Sequence, residues 1–180
     1  MTALQHYCAM AQYNRWMNRK LFALAAELTP EERTRDMGAF FASVYGTLNH
    51  VYLVDVTWMR RMTGDRERFA FRDARGQTVR LTSATQILHA DLEVFRAARV
   101  GLDDAIVGWI TDLDEATLDR PFRWHTRAGH EHTHPLWWTV SHFFNHQTHH
   151  RGQATTLLFQ LGHDPGVTDL GIFLTDPSHP

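Results

Sequence analysis

Cysteine is nearly absent from this sequence of 180 residues, which has a single copy at Cys8. One cysteine cannot form an intrachain disulfide, so the sequence predicts a protein of a reducing compartment with Cys8 as a small buried side chain. No window approaches the roughly eighteen uninterrupted apolar residues of a membrane span, and the amino terminus lacks a basic start followed by an apolar core. We therefore expect a cytoplasmic protein that neither crosses nor enters a membrane.

An excess of positive charge is missing as well. The chain has 18 lysines and arginines against 20 acidic residues, a net charge of -2, and the arginines are scattered along it. This balance argues against nucleic acid as the principal partner and favours a small-molecule substrate. The sequence also has no Ser-His-Asp arrangement, P-loop or dinucleotide-binding glycine pattern. Its length predicts a single domain over residues 1–180.

Four long stretches carry apolar residues at the three- and four-residue spacing of amphipathic helices. They run from about Ala3 to Leu28, Gly38 to Met62, Ser83 to Ile110 and Pro135 to Gly162. Capping boxes at Thr29–Glu32 and Ser83–Gln86 predict a short helical turn and the start of the third long helix, and Gly64 predicts the end of the second. The expected fold is all-α, a four-helix bundle whose long connection between the second and third helices allows a crossover.

A short insert before the last helix has a different period. Between Leu118 and His134 the pattern changes to strict alternation around Ala128 and Gly129, which predicts a two-stranded hairpin. His130, His132 and His134 alternate on its second arm. They suit either an accessory metal site or an exposed polar strand face.

Histidine is the residue in excess, with thirteen copies. His146 and His150 are four residues apart on the predicted last helix, a spacing that lets two imidazoles converge on one ion. His142 and His146 share this spacing, but the helix period turns His150 toward the apolar interior, places His146 at the edge of that stripe and directs His142 to the flank. Hydrogen-bonded core histidines are the alternative interpretation.

A third ligand is available on the second helix, where His50 lies in an apolar run. Coordination would offset the desolvation of this imidazole, although a core hydrogen bond would do so too. Asn49 and Gln153 are candidates for hydrogen bonds to the ligand rings. Arg151 suits either an anionic substrate or an inter-helix salt bridge. The large aromatic residues Trp16, Trp137 and Trp138 suit a pocket lining, a core or a dimer interface.

These motifs resemble a known family. Gly46-Thr47-Leu48-Asn49-His50 and the segment from His142 to Gln153 are similar to the DinB family of bacterial damage-inducible, metal-dependent proteins. The similarity extends to Tyr13 through Asn18 and to Asp164 through Leu170. The resemblance implies a four-helix bundle with a long crossover, a homodimer, and a three-histidine site for nickel, zinc or a related divalent ion, with His50, His146 and His150 as the metal ligands.

Relatives of the family include transferases and isomerases that use low-molecular-weight thiols such as bacillithiol or mycothiol. Two hypotheses follow. The first is an enzyme, of transferase or hydrolase type, in which the metal activates a water or a thiol toward a small electrophile. The second is a non-catalytic metal- or ligand-binding stress-response protein, in which a fourth protein ligand such as His142 or a hairpin residue closes the site.

Overall fold

The computed structural model describes residues 2–126 and 128–176. The ends of the expected 1–180 domain and one residue of the predicted hairpin turn lie outside them. The described chain is mostly helical, as the periodicity predicts. In chain order its elements are α1 (Ala3–Glu27), α2 (Pro30–Thr34), α3 (Val44–Thr63), α4 (Leu92–Thr111), α5 (Glu115–Leu118), β1 (Pro121–His125), β2 (Glu131–Pro135), α6 (Leu136–Gln160) and α7 (Leu170–Thr175).

Four helices are long, and their apolar faces form the core. Helix α1 packs against α4 and α6, and α6 also packs against α3. Phe95, Phe143 and Leu158 are among the side chains that this packing buries completely. Cys8 lies partly buried against the core. Within residues 2–126 and 128–176, none of the helices combines the length and apolar character that a membrane span needs.

Helix α3 begins later than the apolar pattern predicted. It begins at Val44, with Ser43 as its N-cap, and ends at Gly64, whose left-handed backbone stops the helix as predicted. Residues 38–43 instead form a tight turn in which Ala42 has a φ of 62°. Phe41, which the pattern assigned to this helix, therefore precedes it.

The capping box at Ser83–Gln86 does not open the third long helix, so that prediction was wrong. Helix α4 begins at Leu92, and its N-cap is Asp91. The backbone of residues 84–89 is held by α3, because Asn49 bonds to the backbone of Gln86 and Leu88 and Tyr45 donates to the His89 carbonyl. These contacts occupy carbonyl and amide groups that a local helix would need for itself.

The hairpin before the last long helix is confirmed. Strands β1 and β2 pair in an antiparallel register that sets Trp124 opposite His132 and Phe122 opposite His134. Helix α6 follows β2 directly. Helix α7 was not predicted; it packs Phe173 against Tyr13 and Trp16 of α1, and Tyr13 donates to the Thr168 carbonyl. The two outlying motifs of the family resemblance are therefore in contact.

Candidate metal centre

His146 and His150 lie one turn apart on α6, and their ring centroids are 4.4 Å apart. The sequence directs them inward because Phe143, Ala154 and Leu157 occupy the same buried stripe of the helix. His150 is 9% exposed, whereas His146 is partly exposed. Both rings therefore lie on the inner side of α6, as the helix period predicts.

His50 reaches the same point from α3. Its Nε2 atom is 3.2 Å from Nε2 of His146, and its ring centroid is 4.6 Å from that of His150. One possible ligand atom from each of the three rings lies within 4.8 Å of the others. Two nitrogens bound to one tetrahedral zinc at about 2.0–2.1 Å stand roughly 3.3–3.4 Å apart. The spacing between His50 and His146 is therefore close to that of two ligands of one ion.

Hydrogen bonds on the far side of two rings orient the site. Nδ1 of His50 is 3.1 Å from the Ala84 carbonyl oxygen, and Nδ1 of His150 is 2.8 Å from Oε1 of Gln153. Each acceptor fixes the proton on Nδ1, which leaves the lone pair on Nε2, and metal-binding histidines usually have such a partner. Nδ1 of His146 is buried and has no hydrogen-bond partner among the described residues.

The surroundings keep all three imidazoles neutral. Burial is the main reason why the pKa of His146 is lowered to about 3, and the neighbouring rings of His150 and His50 contribute in the same direction. Burial is also the main reason why the pKa values of His50 and His150 are lowered. A neutral imidazole offers a lone pair, so near pH 7 protons compete only weakly for these nitrogens.

Phe41 covers His50, and sequence reasoning missed this role. The two rings are stacked with centroids 3.8 Å apart, and Phe41 also meets His150 edge-on. The turn that carries Phe41 approaches α3 so closely that a Cβ on Gly46 would lie 2.1 Å from the Phe41 carbonyl oxygen. The signal for this contact was present, because a glycine inside a helix often marks a close backbone approach.

Three polar residues near the cluster were also given predicted roles. Gln153 bonds to a cluster ring as predicted, whereas Asn49 bonds to residues 86 and 88 and so supports the segment that carries the Ala84 carbonyl. Arg151 is buried and donates to Asn14, with its guanidinium over the Tyr13 ring. It therefore makes an inter-helix hydrogen bond to an amide, and the described residues include no salt bridge of Arg151, which was one of the two alternatives.

The remaining histidines do not join the cluster. The ring of His142 packs edge-on against Trp58, and its centroid is 6.1 Å from that of His146. On the hairpin, His132 stacks on Trp124, and His134 accepts a hydrogen bond from the Trp124 indole. Among the described residues, the only group of three or more candidate ligands is His50, His146 and His150.

The large aromatic residues for which a pocket, core or interface role was predicted differ in their exposure. Trp16 is partly buried and packs against Phe173 and Tyr13. Trp137 and Trp138 are exposed on the first turn of α6, where Trp138 stacks on His134. None of the three lies among the residues of the histidine cluster.

A mostly helical fold in which two long helices bring three imidazoles together defines a class of proteins with a histidine cluster able to hold a metal ion. The chain belongs to the DinB family, whose sequence profile matches residues 1–177. Protein DinB of Bacillus subtilis (strain 168) is 25% identical over 163 residues, which cover 91% of this chain and 90% of that protein. The family resemblance noted in the sequence is thus confirmed.

Proposed function

We propose that His50, His146 and His150 hold one divalent metal ion in an enzyme that acts on a small electrophilic molecule. The observation that carries the proposal is the convergence of three neutral imidazoles, two of them oriented by hydrogen bonds on their outer nitrogens. The buried Nδ1 of His146 fits the same interpretation, since coordination through Nε2 would offset its desolvation. Nickel and zinc both suit an all-imidazole donor set.

Three protein ligands leave a coordination position for an exogenous molecule, as in catalytic zinc sites. A bound divalent ion supplies Lewis acidity there and lowers the pKa of a water or a low-molecular-weight thiol. Among the residues that the structure describes, no carboxylate belongs to this cluster, so the full charge of the ion remains available. The three imidazoles determine the position of the ion, and Phe41 shields one side of that position from solvent.

A cavity suited to the body of an apolar substrate borders the same phenylalanine. Its volume is about 600 Å³, and Phe40, Phe41, Tyr45 and Ile87 are among its lining residues. Phe40 is 85% exposed, which is unusual for an aromatic side chain unless it contacts a ligand or a partner. The three histidines are not among its described lining residues. The proposal therefore places the apolar part of a small substrate in this cavity and requires its electrophilic centre to reach past Phe41 to the metal.

The metal assignment is tested by elemental analysis of protein purified without a histidine tag. Wild-type protein is expected to carry about one equivalent of nickel or zinc, and the variants His50→Ala and His146→Ala much less. The control is His142→Ala, because this neighbouring histidine packs against Trp58 outside the cluster. Equal metal content in all four proteins would defeat the assignment.

The reaction is tested by screening thiols and water against electrophiles with metal-loaded protein. We expect a transferase or hydrolase rate that His150→Ala abolishes while the circular-dichroism spectrum is unchanged. The competing hypothesis is a non-catalytic stress-response protein in which a fourth protein ligand occupies the open coordination position of the metal. In that case no thiol would alter the absorption spectrum of the cobalt-substituted protein.

We also propose the finer architecture that the family implies: a four-helix bundle of α1, α3, α4 and α6 with a crossover between α3 and α4, assembled as a homodimer. The exposed pair Trp137 and Trp138 supports an interface on the first turn of α6. Light scattering tests the dimer. A monomer at micromolar concentration, or a dimer that Trp137→Ser leaves intact, would contradict this interface.

A further inference from the structure

A second cavity lies at the other end of α3, away from the three histidines. Its volume is about 510 Å³, within the range of small-molecule sites. Arg61, on its wall, follows His50 by eleven positions, which corresponds to about 16 Å along the helix axis. The cavity is therefore separate from the proposed metal centre.

Positive charge dominates the walls of this cavity. Arg60 and Arg61 come from the last turn of α3, Arg66 from the loop after it, and Arg123 and His125 from β1. No carboxylate is among the described residues that line it. The fold thus brings Arg123 to three arginines that lie within seven residues of one another in the sequence, in a protein whose net charge is -2.

The nearby negative charge is small by comparison. Glu131 on β2 lies 3.6 Å from Arg123 and 3.3 Å from His125, and it is partly exposed. The carboxyl end of α3 contributes about half an elementary negative charge from its peptide dipoles. Asp65 and Glu67 flank Arg66 in the chain but are not among the lining residues, and Glu67 pairs with Arg72. The four guanidinium groups outweigh these contributions, so the cavity retains a positive potential.

Aromatic rings hold two of the guanidinium groups in place. Arg61 contacts both Trp58 and Trp124, whose rings meet edge to face, and its guanidinium lies 4.7 and 4.9 Å from their centroids; Arg60 lies 5.3 Å from the centroid of Phe71. A guanidinium held by cation–π contacts still has N–H donors for other partners. Of these donors, Arg61 gives one to the His125 carbonyl, at 3.3 Å.

In the described part of the chain, no acidic group forms an ion pair with Arg61. Burial alone lowers the pKa of its guanidinium, because no acidic neighbour opposes the desolvation. Arg66 forms no ion pair within residues 2–126 and 128–176. Preorganised guanidinium groups without carboxylate partners are the usual recognition elements for phosphate and carboxylate groups.

We propose that this cavity, lined by Arg60, Arg61, Arg66, Arg123 and His125, binds a small molecule through a multiply charged oxyanion group. Phosphate esters and dicarboxylates share this chemistry, because both offer oxygen pairs that match the guanidinium fork. A concave site of this volume suits a metabolite better than a nucleic-acid duplex, whose backbone needs an extended stripe of contacts. Metal binding and anion binding would then be two separate properties of one chain.

The test is isothermal titration of the full-length protein at low ionic strength with phenyl phosphate and isophthalate. These probes are dianions near pH 7.5 and share the same ring. Arg66→Gln should weaken binding by about tenfold or more, the scale of a lost charged hydrogen bond. The matched control Arg75→Gln removes one arginine outside the cavity and should change the affinity less than about twofold. Arg66 and Arg75 are both exposed, so neither change should affect folding.

A further variant separates this site from the metal centre. His146→Ala should bind phenyl phosphate as well as the wild type does. Preference for phenyl phosphate would support a phosphorylated ligand, and preference for isophthalate a dicarboxylate. The proposal is overturned by an absence of binding, by equal affinity in Arg66→Gln, by loss of binding in His146→Ala, or by tighter binding of a single-stranded oligonucleotide through the same arginines.

Discussion

At the scale of single residues, the outer nitrogens of the histidine cluster determine how well it can hold an ion. Gln153 accepts from Nδ1 of His150 through Oε1, and its amide nitrogen lies 3.2 Å from Nε2 of His149. The Gln153 amide thus orients the His150 ring and links it to the exposed His149 ring. Removing such a partner from a metal ligand commonly lowers metal affinity by about 10–100-fold.

We therefore expect Gln153→Leu to weaken zinc binding by about 10–100-fold while the fold is retained. Gln153→Glu keeps an acceptor at the same place and should bind zinc at least as well as the wild type. Competition with a chromogenic chelator measures both affinities. Equal loss in the two variants would mean that Gln153 acts through packing and not through its hydrogen bond.

The lowered pKa values of the cluster predict that acid destabilises the metal-free protein. Below about pH 6.5 an unfolded histidine binds a proton, whereas folded His146, with a pKa of about 3, does not. Because the unfolded state then binds more protons, the free energy of unfolding falls as the pH drops from about 6.5 toward 3. Asp103, whose pKa burial raises to about 6, has the opposite effect between roughly pH 6 and 4.

His146→Gln isolates the histidine contribution, since Asp103 is present in both proteins. Urea denaturation between pH 7 and 4 should give a shallower acid loss for the variant. The difference should be a fraction of the ~1.4 kcal/mol per pH unit that one proton can contribute, because the ring is partly exposed. Parallel slopes for the two proteins would show that His146 takes up its proton normally in the folded state.

At the scale of elements, the turn at residues 38–43 and the start of α3 act together. Gly46 lets the turn contact the helix, and the turn places Phe41 on the His50 ring. Gly46→Ala must displace backbone atoms, so we expect a loss of about 1–3 kcal/mol in the free energy of unfolding. Zinc affinity should fall as well, because Phe41, which is stacked on the His50 ring, moves with the turn.

Gly101→Ala is the matched control for this change. Gly101 lies inside α4, and nothing stands within 4 Å of the Cβ that alanine would add. The same substitution should therefore be neutral or stabilise the helix by up to about 1 kcal/mol. Urea denaturation of both variants provides the comparison. If Gly101→Ala lowers the free energy of unfolding as much as Gly46→Ala does, the effect comes from replacing any helical glycine and not from the contact with the turn.

The elements also show what sequence periodicity can and cannot predict. The sequence placed His146 and His150 one turn apart on the inner side of the last long helix, as the structure has them, because their spacing and the apolar stripe are properties of a single helix. The start of α4 and the short helix α7 were not predicted correctly, since both depend on contacts between distant segments. Tyr45 and Asn49 take hydrogen-bonding groups from residues 86–89, and Tyr13 bonds to the backbone just before α7. Local capping signals do not encode such contacts.

At the scale of the whole molecule, a buried polar network joins the four long helices. Arg99 of α4 forms ion pairs of 2.7 Å with Asp55 of α3 and 2.8 Å with Asp103. Asn14 and Asn18 of α1 donate to the same oxygen of Asp103, and Arg151 of α6 donates to Asn14. Asp55 follows His50, and Arg151 follows His150, so this layer lies next to the histidine cluster along both helices.

Replacing Arg99 should therefore break its ion pairs with both Asp55 and Asp103. Arg99→Met leaves two buried carboxylates without their guanidinium, and the loss of one partner from a buried ion pair commonly costs about 3–5 kcal/mol. Arg96→Met is the control, because Arg96 lies on the same helix in an exposed pair with Glu93 that contributes at most about 1 kcal/mol. Urea denaturation at pH 7 measures both changes.

The same variant tests whether the network positions the metal centre. If the four helices depend on this layer for their alignment, zinc affinity should fall in Arg99→Met under conditions where most of the protein remains folded, and remain unchanged in Arg96→Met. A stability loss without any change in zinc affinity would show that α3 and α6 hold the three histidines through their own packing. Raising the zinc concentration should then restore the melting temperature of Arg99→Met, since binding to the folded state alone stabilises it.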